Sequence, residues 1–85
     1  MYKVTYQPKA LKVLLKMPRN LSRLIREKIA QLAQDPHASN PNVKLLEGRN
    51  GYRLRIGDWR VLYELHDDVL VISVVKIKTR GDVYK

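Results

Sequence analysis

The chain has no cysteine among its 85 residues, so neither a disulfide nor a thiolate metal site can hold it together. A reducing compartment is the expectation. Long apolar runs are missing too: nothing approaches the roughly 18 apolar residues of a membrane span, and "MYKVTYQPKALKVLLKMPRN" carries no apolar segment of secretory type. A cytoplasmic protein with no membrane partner is therefore expected. Acidic residues are scarce, eight Asp and Glu against seventeen Lys and Arg, and their scatter argues against paired-carboxylate acid–base chemistry. His37 and His66 have no second histidine or carboxylate at ligand spacing and read as ordinary surface residues. No Gly-rich phosphate loop and no Ser-His-Asp set occurs, which leaves nucleotide hydrolysis and serine-type acyl transfer without support.

What is present in excess is positive charge, a formal +9. A surplus of that size in a short chain points to a polyanionic partner, nucleic acid first; the plainer alternative is a solvated surface that keeps a small protein dispersed. Residues 1–85 read as one domain, without internal repeat or linker, and a chain this short buries only about 60% of its unfolded surface. Its core must be compact and mostly aliphatic.

The alternation in "YKVTY" at 2–6 predicts a first strand. A helix follows from Pro8, with Ala10, Leu11, Leu14 and Leu15 at helical spacing and Lys9, Lys12 and Lys16 outside, until Pro18 interrupts. A second runs from Arg19 to Gln34, its core stripe made of Leu21, Leu24, Ile25, Ile29 and Leu32 and its outer face of Arg19, Arg23, Arg26, Glu27 and Lys28. Asp35-Pro36 ends it, because a residue before proline is pushed out of the α region. Residues 35–50, "DPHASNPNVKLLEGRN", show no sustained period and read as a long loop. Three strands complete the chain, the last being "VLVISVVKIK" after a turn at Asp67-Asp68. The order β-α-α-β-β-β predicts an α+β fold, a helical hairpin packed on a mainly antiparallel twisted sheet.

The most informative stretch is "GYRLRIGDWRVLYEL", residues 51–65. Gly57-Asp58 is a two-residue hairpin turn, and it fixes the register. Ile56 then faces Trp59, Leu54 faces Val61 and Tyr52 faces Tyr63, all on a core face; the opposite face holds Arg53, Arg55, Arg60, Leu62 and Glu64. Arg55 lies directly across from Arg60, a like-charge pair that costs a few tenths of a kcal/mol or more. Guanidinium groups match phosphate oxygens in a two-pronged fashion, so these arginines are candidates for holding a backbone phosphate and for stabilising the charge that develops when an RNA 2′-hydroxyl attacks it. Lys76, Lys78, Arg80 and Tyr84 add charge and an aromatic in the tail. Tyr84 has two candidate roles, stacking on an unstacked base and exchanging a proton, besides the alternative of a disordered terminus.

"KLLEGRNGYRLRIGDWRVLYEL" together with "KTRGDVYK" resembles the RelE/ParE superfamily of toxins from toxin–antitoxin pairs, over nearly the whole chain. The resemblance to the RelE-like branch implies a ribosome-dependent endoribonuclease that cuts mRNA in the A site by 2′-hydroxyl attack, docked on 16S rRNA, with no cofactor and silenced by a cognate antitoxin protein. It implies catalytic roles for Arg53, Arg55, Arg60, Lys78, Arg80 and Tyr84: Arg60 at the scissile phosphate, Tyr84 against a nucleobase, Arg80 and Lys78 as basic tail positions. Arg53 and Arg55 stand where other members have lysines. An arginine is never deprotonated in a protein, so these two bind phosphate and the general base stays open among the remaining groups. The alternative implied by the ParE-like branch is a toxin that binds DNA gyrase and cuts no nucleic acid.

Overall fold

The computed structural model describes residues 1–46 and 51–79. Seven elements follow one another: β1 (Lys3–Tyr6), α1 (Pro8–Lys16), α2 (Arg19–Gln34), β2 (Val43–Leu45), β3 (Gly51–Ile56), β4 (Trp59–His66) and β5 (Val71–Thr79). The five strands form one sheet in the order β1-β5-β4-β3-β2. β1 runs parallel to β5, and every other pair is antiparallel. Two helices on one face of a mixed, mainly antiparallel sheet is the α+β arrangement expected from the sequence, with one strand more than the sequence pattern revealed.

Proline punctuates the helical hairpin. Pro8 opens α1 at its first turn, where the missing N–H would have no intrahelical partner anyway. Pro18 forces Met17 to an extended ψ of 162° and so ends α1, then serves as N-cap of α2. Asp35, outside the α region at φ −155° and ψ 81° before Pro36, closes α2. The buried edge of this hairpin is narrower than its apolar periodicity suggests. Ala10 and Leu14 of α1, and Ile25, Ile29, Leu32 and Ala33 of α2, are buried, whereas Leu11 is 38%, Leu24 40% and Leu15 71% exposed. A two-helix layer on a small sheet offers cover to one edge of each helix, so the second column of leucines faces outward.

β2 lies within the stretch expected to be loop. Val43 pairs with Leu54, Lys44 with Arg53 and Leu45 with Tyr52, and backbone bonds from Arg55 N–H to Asn42 and from Leu46 N–H to Gly51 extend the ladder. Three alternating residues are too few to show a period, so the strand exists because β3 offers it an unpaired edge. Lys44 then blunts that edge against further pairing.

The β3–β4 register is the expected one, from Ile56↔Trp59 at the turn to Tyr52↔Tyr63. Gly57 takes φ 57°, a sign that glycine accepts freely in a two-residue hairpin. Between β4 and β5 the turn is longer than the Asp67-Asp68 pair: Val69 and Leu70 belong to it, and β5 starts at Val71 rather than Val69. A bulge after Tyr63↔Val74 leaves Val75 unpaired, so that Leu62 faces Lys76.

The core is Leu54, Ile56, Val61, Tyr63, Ile72, Val74 and Ile77 from the sheet against the buried helix residues, with Tyr52 and Trp59 packed at its margin. Tyr63 stacks on Tyr52 at 5.5 Å and 15°, and its buried hydroxyl has no hydrogen-bond partner among the described residues.

Two outcomes follow. Leu70, half-exposed and at φ 54°, sits in the left-handed region that costs an L-residue about 1 kcal/mol or more; Leu70→Gly is expected to raise the thermal midpoint in a calorimetric scan. Burial, and then neighbouring Tyr52, pushes the Tyr63 hydroxyl up to about 12 from 10.0. The unfolded tyrosine therefore ionises first, so its contribution to stability is complete below pH 10 and is lost as pH rises towards 12. Tyr63→Phe should leave neutral-pH stability unchanged or slightly higher and make urea unfolding less pH-dependent in that alkaline window.

Candidate nucleic-acid interface

Alternation along three antiparallel strands sends one set of side chains to the helices and the other to the uncovered face. On that outer face the register aligns cations in rows. Arg55 on β3 pairs with Arg60 on β4, which pairs with Lys78 on β5. Two residues along, about 7 Å by strand rise, Lys44 on β2 faces Arg53 on β3, Arg53 faces Leu62 and Leu62 faces Lys76. Six cations thus surround a single leucine. Among the described residues none of the six is in a salt bridge; the two ion pairs found are His37 with Asp67 at 2.9 Å and His66 with Glu64 at 3.5 Å.

The members of the first row differ in freedom. Arg60 is half-buried and donates from Nη1 to the carbonyls of Gly57 and Trp59, both at 3.0 Å. The hairpin turn therefore holds this guanidinium by one nitrogen and leaves its other donors available. Arg55 is exposed, and Arg53 and Lys78 are half-buried. Lys9 of α1 joins the edge of the patch, lining a cleft of about 220 Å³ with Val13, Lys76, Ile77 and Lys78. Such a surface can bind and neutralise successive phosphates, and its arginines can stabilise added charge on one of them.

Of the six residues singled out in the sequence, four come together here: Arg53, Arg55, Arg60 and Lys78. Arg80 and Tyr84 lie outside the described residues. Two cations of the patch, Lys44 and Lys76, were not in the sequence-based set. Lys44 was hidden by the missed strand, whereas Lys76 was signalled by its i−2 spacing from Lys78 on the same strand.

A second polar cluster sits at the far end of the sheet. Tyr2 donates to Asp67 Oδ1 at 2.6 Å, and His37 Nε2 lies 2.9 Å from the same oxygen. These bonds, Tyr2 first and His37 second, hold the Asp67 carboxyl below its ordinary value. Asp67 follows β4 seven residues after Arg60, roughly 20 Å away by strand rise, so the cluster ties the start of β1 to the β4–β5 turn and takes no part in the cationic patch. Among the described residues, no three His, Asp or Glu side chains gather as metal ligands, and no helix is long and apolar enough to cross a membrane.

The sequence matches the family model of the ParE toxin of type II toxin–antitoxin systems, parDE, over residues 4–84. The chain belongs to that toxin family. Its relatives point to the RelE-like side of it. A RelE-like toxin protein of Escherichia coli is 26% identical over 85 residues, 98% of this chain and 90% of the relative. The archaeal RelE–RelB complex of Pyrococcus horikoshii OT3 contains a chain 32% identical, with a TM-score of 0.81 and coverage of 94% of this chain and 96% of that one. The isolated E. coli RelE toxin has the same fold, with a TM-score of 0.80 at 20% identity and coverage of 99% and 92%. The protein is a RelE-like toxin of a type II toxin–antitoxin system.

The toxin's arginine pair should carry a measurable cost. Replacing Arg55 by Thr, a good strand former, removes the like-charge pair with Arg60 and should stabilise the fold by a few tenths of a kcal/mol. Denaturation at low and high salt checks the cause, since screening should shrink the difference between variant and parent.

Proposed function

We propose that this toxin is a ribosome-dependent endoribonuclease that cleaves mRNA in the A site. The observation that carries the reading is the pair of cationic rows, aligned by backbone register on an uncovered sheet face and free of acidic partners among the described residues. In the reaction the mRNA 2′-oxygen attacks the adjacent phosphorus, the bond to the 5′-oxygen breaks, and the products carry a 2′,3′-cyclic phosphate and a 5′-hydroxyl. One proton leaves the 2′-hydroxyl and one reaches the departing oxygen. Arg60, pre-oriented by its bonds to the hairpin turn, neutralises charge on the phosphorane-like transition state without reorganising. Arg53 and Arg55 hold the flanking backbone, and Lys78 and Arg80 add charge from the tail. Tyr84 stacks on a base and so helps to align the attacking oxygen.

Lys44, Lys76 and Lys9 extend the positive surface beyond one phosphate. Every phosphate neutralised on 16S rRNA or mRNA releases counterions, which suits docking on the ribosome. The protein partner is a cognate antitoxin, as in the RelE–RelB complexes of P. horikoshii and E. coli. Its inhibitory segment is an amphipathic, partly acidic element that covers the basic face or displaces the tail, folding as it binds.

Primer extension on a defined message in a purified translation system tests the reading. Wild type should cut within A-site codons only when ribosomes are present; Arg60→Ala should reduce cleavage at least about a hundredfold, the scale of losing one oriented charge-stabilising group, and Tyr84→Ala at least about fivefold, the low end for losing one stacked base. An intact message with growth still arrested would overturn it, and gyrase supercoiling would then be assayed.

A further inference from the structure

The outer face is not uniformly charged. Beside the cationic rows lies a pocket of about 240 Å³ whose lining includes Leu46, Gly51, Leu62, Val75 and the side chains of Lys76 and Lys78. Three features of the backbone create it. Leu62 occupies the one apolar position in the second row, between Arg53 and Lys76. The bulge inserts Val75 next to Lys76. Gly51, an outward position opposite Glu64, contributes no side chain and leaves the space open.

We infer that this pocket receives an unstacked nucleobase of the RNA whose phosphate lies on the arginine row. The inference rests on the proposed endoribonuclease reading and deepens it. The volume equals roughly eight waters at about 30 Å³ each and falls below the range of about 300–1,000 Å³ for drug-sized ligands, which suits one planar ring system. Its lining combines aliphatic Leu46, Leu62 and Val75 with cationic Lys76 and Lys78, and the two lysines belong both to the pocket and to the rows. An apolar ring linked to an anion, which is a nucleotide, matches that combination. Recognition of single-stranded RNA commonly works this way, with splayed bases buried and the backbone held by charge. Glu64 also lines the pocket, and its carboxylate is an acceptor for an exocyclic amino group, a partner that adenine offers and uracil lacks.

The pocket can be filled without touching a cation. A Cβ at Gly51 would meet Leu46 Cδ1 at 3.5 Å and the Tyr63 carbonyl at 3.6 Å, ordinary contact distances, so the backbone tolerates a side chain there, and Gly51→Val adds bulk at a residue that lines the pocket with a strand former. The probe is a trinucleotide with 2′-O-methyl sugars, which cannot be cut, carrying adenine or an abasic sugar at its centre. Binding to the full chain is followed by titration, and Leu46, Leu62 and Val75 by methyl NMR. The expected result is that adenine binds at least about fivefold more tightly than the abasic probe, the low end for one buried base, and shifts the Leu62 and Val75 methyls. The preference should vanish in Gly51→Val, whose affinity for the abasic probe stays at the wild-type level. Uracil at the centre should bind more weakly than adenine in wild type and equally in Glu64→Ala. Equal binding of adenine and abasic probes, with shifts at the arginine side chains alone, would overturn the pocket while leaving the phosphate surface intact; that is also the outcome if an apolar side chain of the antitoxin is the occupant. Absence of binding by either probe would overturn the pocket, while the endoribonuclease reading is decided separately by cleavage on the ribosome.

Discussion

The register of β3 against β4 governs everything on the outer face. A two-residue turn at Gly57-Asp58 sets it, and period-2 alternation carries it along both strands. A slip of β3 by one residue against β4 would drive Arg53 and Arg55 towards the helices and expose Leu54 and Ile56, which the core buries almost completely. The apolar side of the hairpin therefore specifies where the charged side goes. The cationic rows need no attraction of their own to form, and the like-charge contact between Arg55 and Arg60 is tolerated because burial of the opposite face is worth far more, about 1.5–3 kcal/mol per large aliphatic residue.

The same asymmetry explains why the surface is open. The helical hairpin covers one side of the sheet only, and an antiparallel sheet can leave its other side in water. The parallel contact of β1 with β5 stops at Tyr6↔Val74, after which the chain turns into α1. From Val75 onward that edge of β5 is released from β1 at the point where the bulge occurs. Lys76 and Lys78 thus lie beyond the end of the parallel ladder, lining a cleft with Lys9 of α1. The bulge and the end of the parallel ladder together shape the rim of the patch.

Much of this was readable from residues. Proline positions gave both helix boundaries, and the Gly-Asp turn gave the hairpin register residue by residue, including the Arg55–Arg60 pair. What escaped has physical causes. β2 is three residues long, so its identity comes from the edge it pairs with and not from its own pattern. Leu11, Leu15 and Leu24 keep helical spacing yet stay exposed, because periodicity names a face but not how wide a partner surface covers it. The bulge at Val75 cannot be seen in "VISVVKIK", where an unbroken apolar run hides the change of phase. That change brings an apolar residue to the outer face beside a lysine.

A cationic face made of arginine on β3 shifts the chemical problem elsewhere. Guanidinium groups bind and stabilise but do not accept protons at any physiological pH, so in the proposed nuclease reaction Arg53, Arg55 and Arg60 divide positioning and charge neutralisation among themselves. Alignment then has to supply much of the rate, since a 2′-oxygen held in line with the departing 5′-oxygen converts a rare conformer into the prevailing one. Alignment needs fixed points on both sides of the phosphate. Arg60, tied to the turn by two carbonyls, is one such point; the apolar pocket at Leu62, one row away on the same strand, is suited to be the other. Two anchors of opposite character, one for an anion and one for a ring, set the direction of the chain across the sheet, which charge alone cannot do.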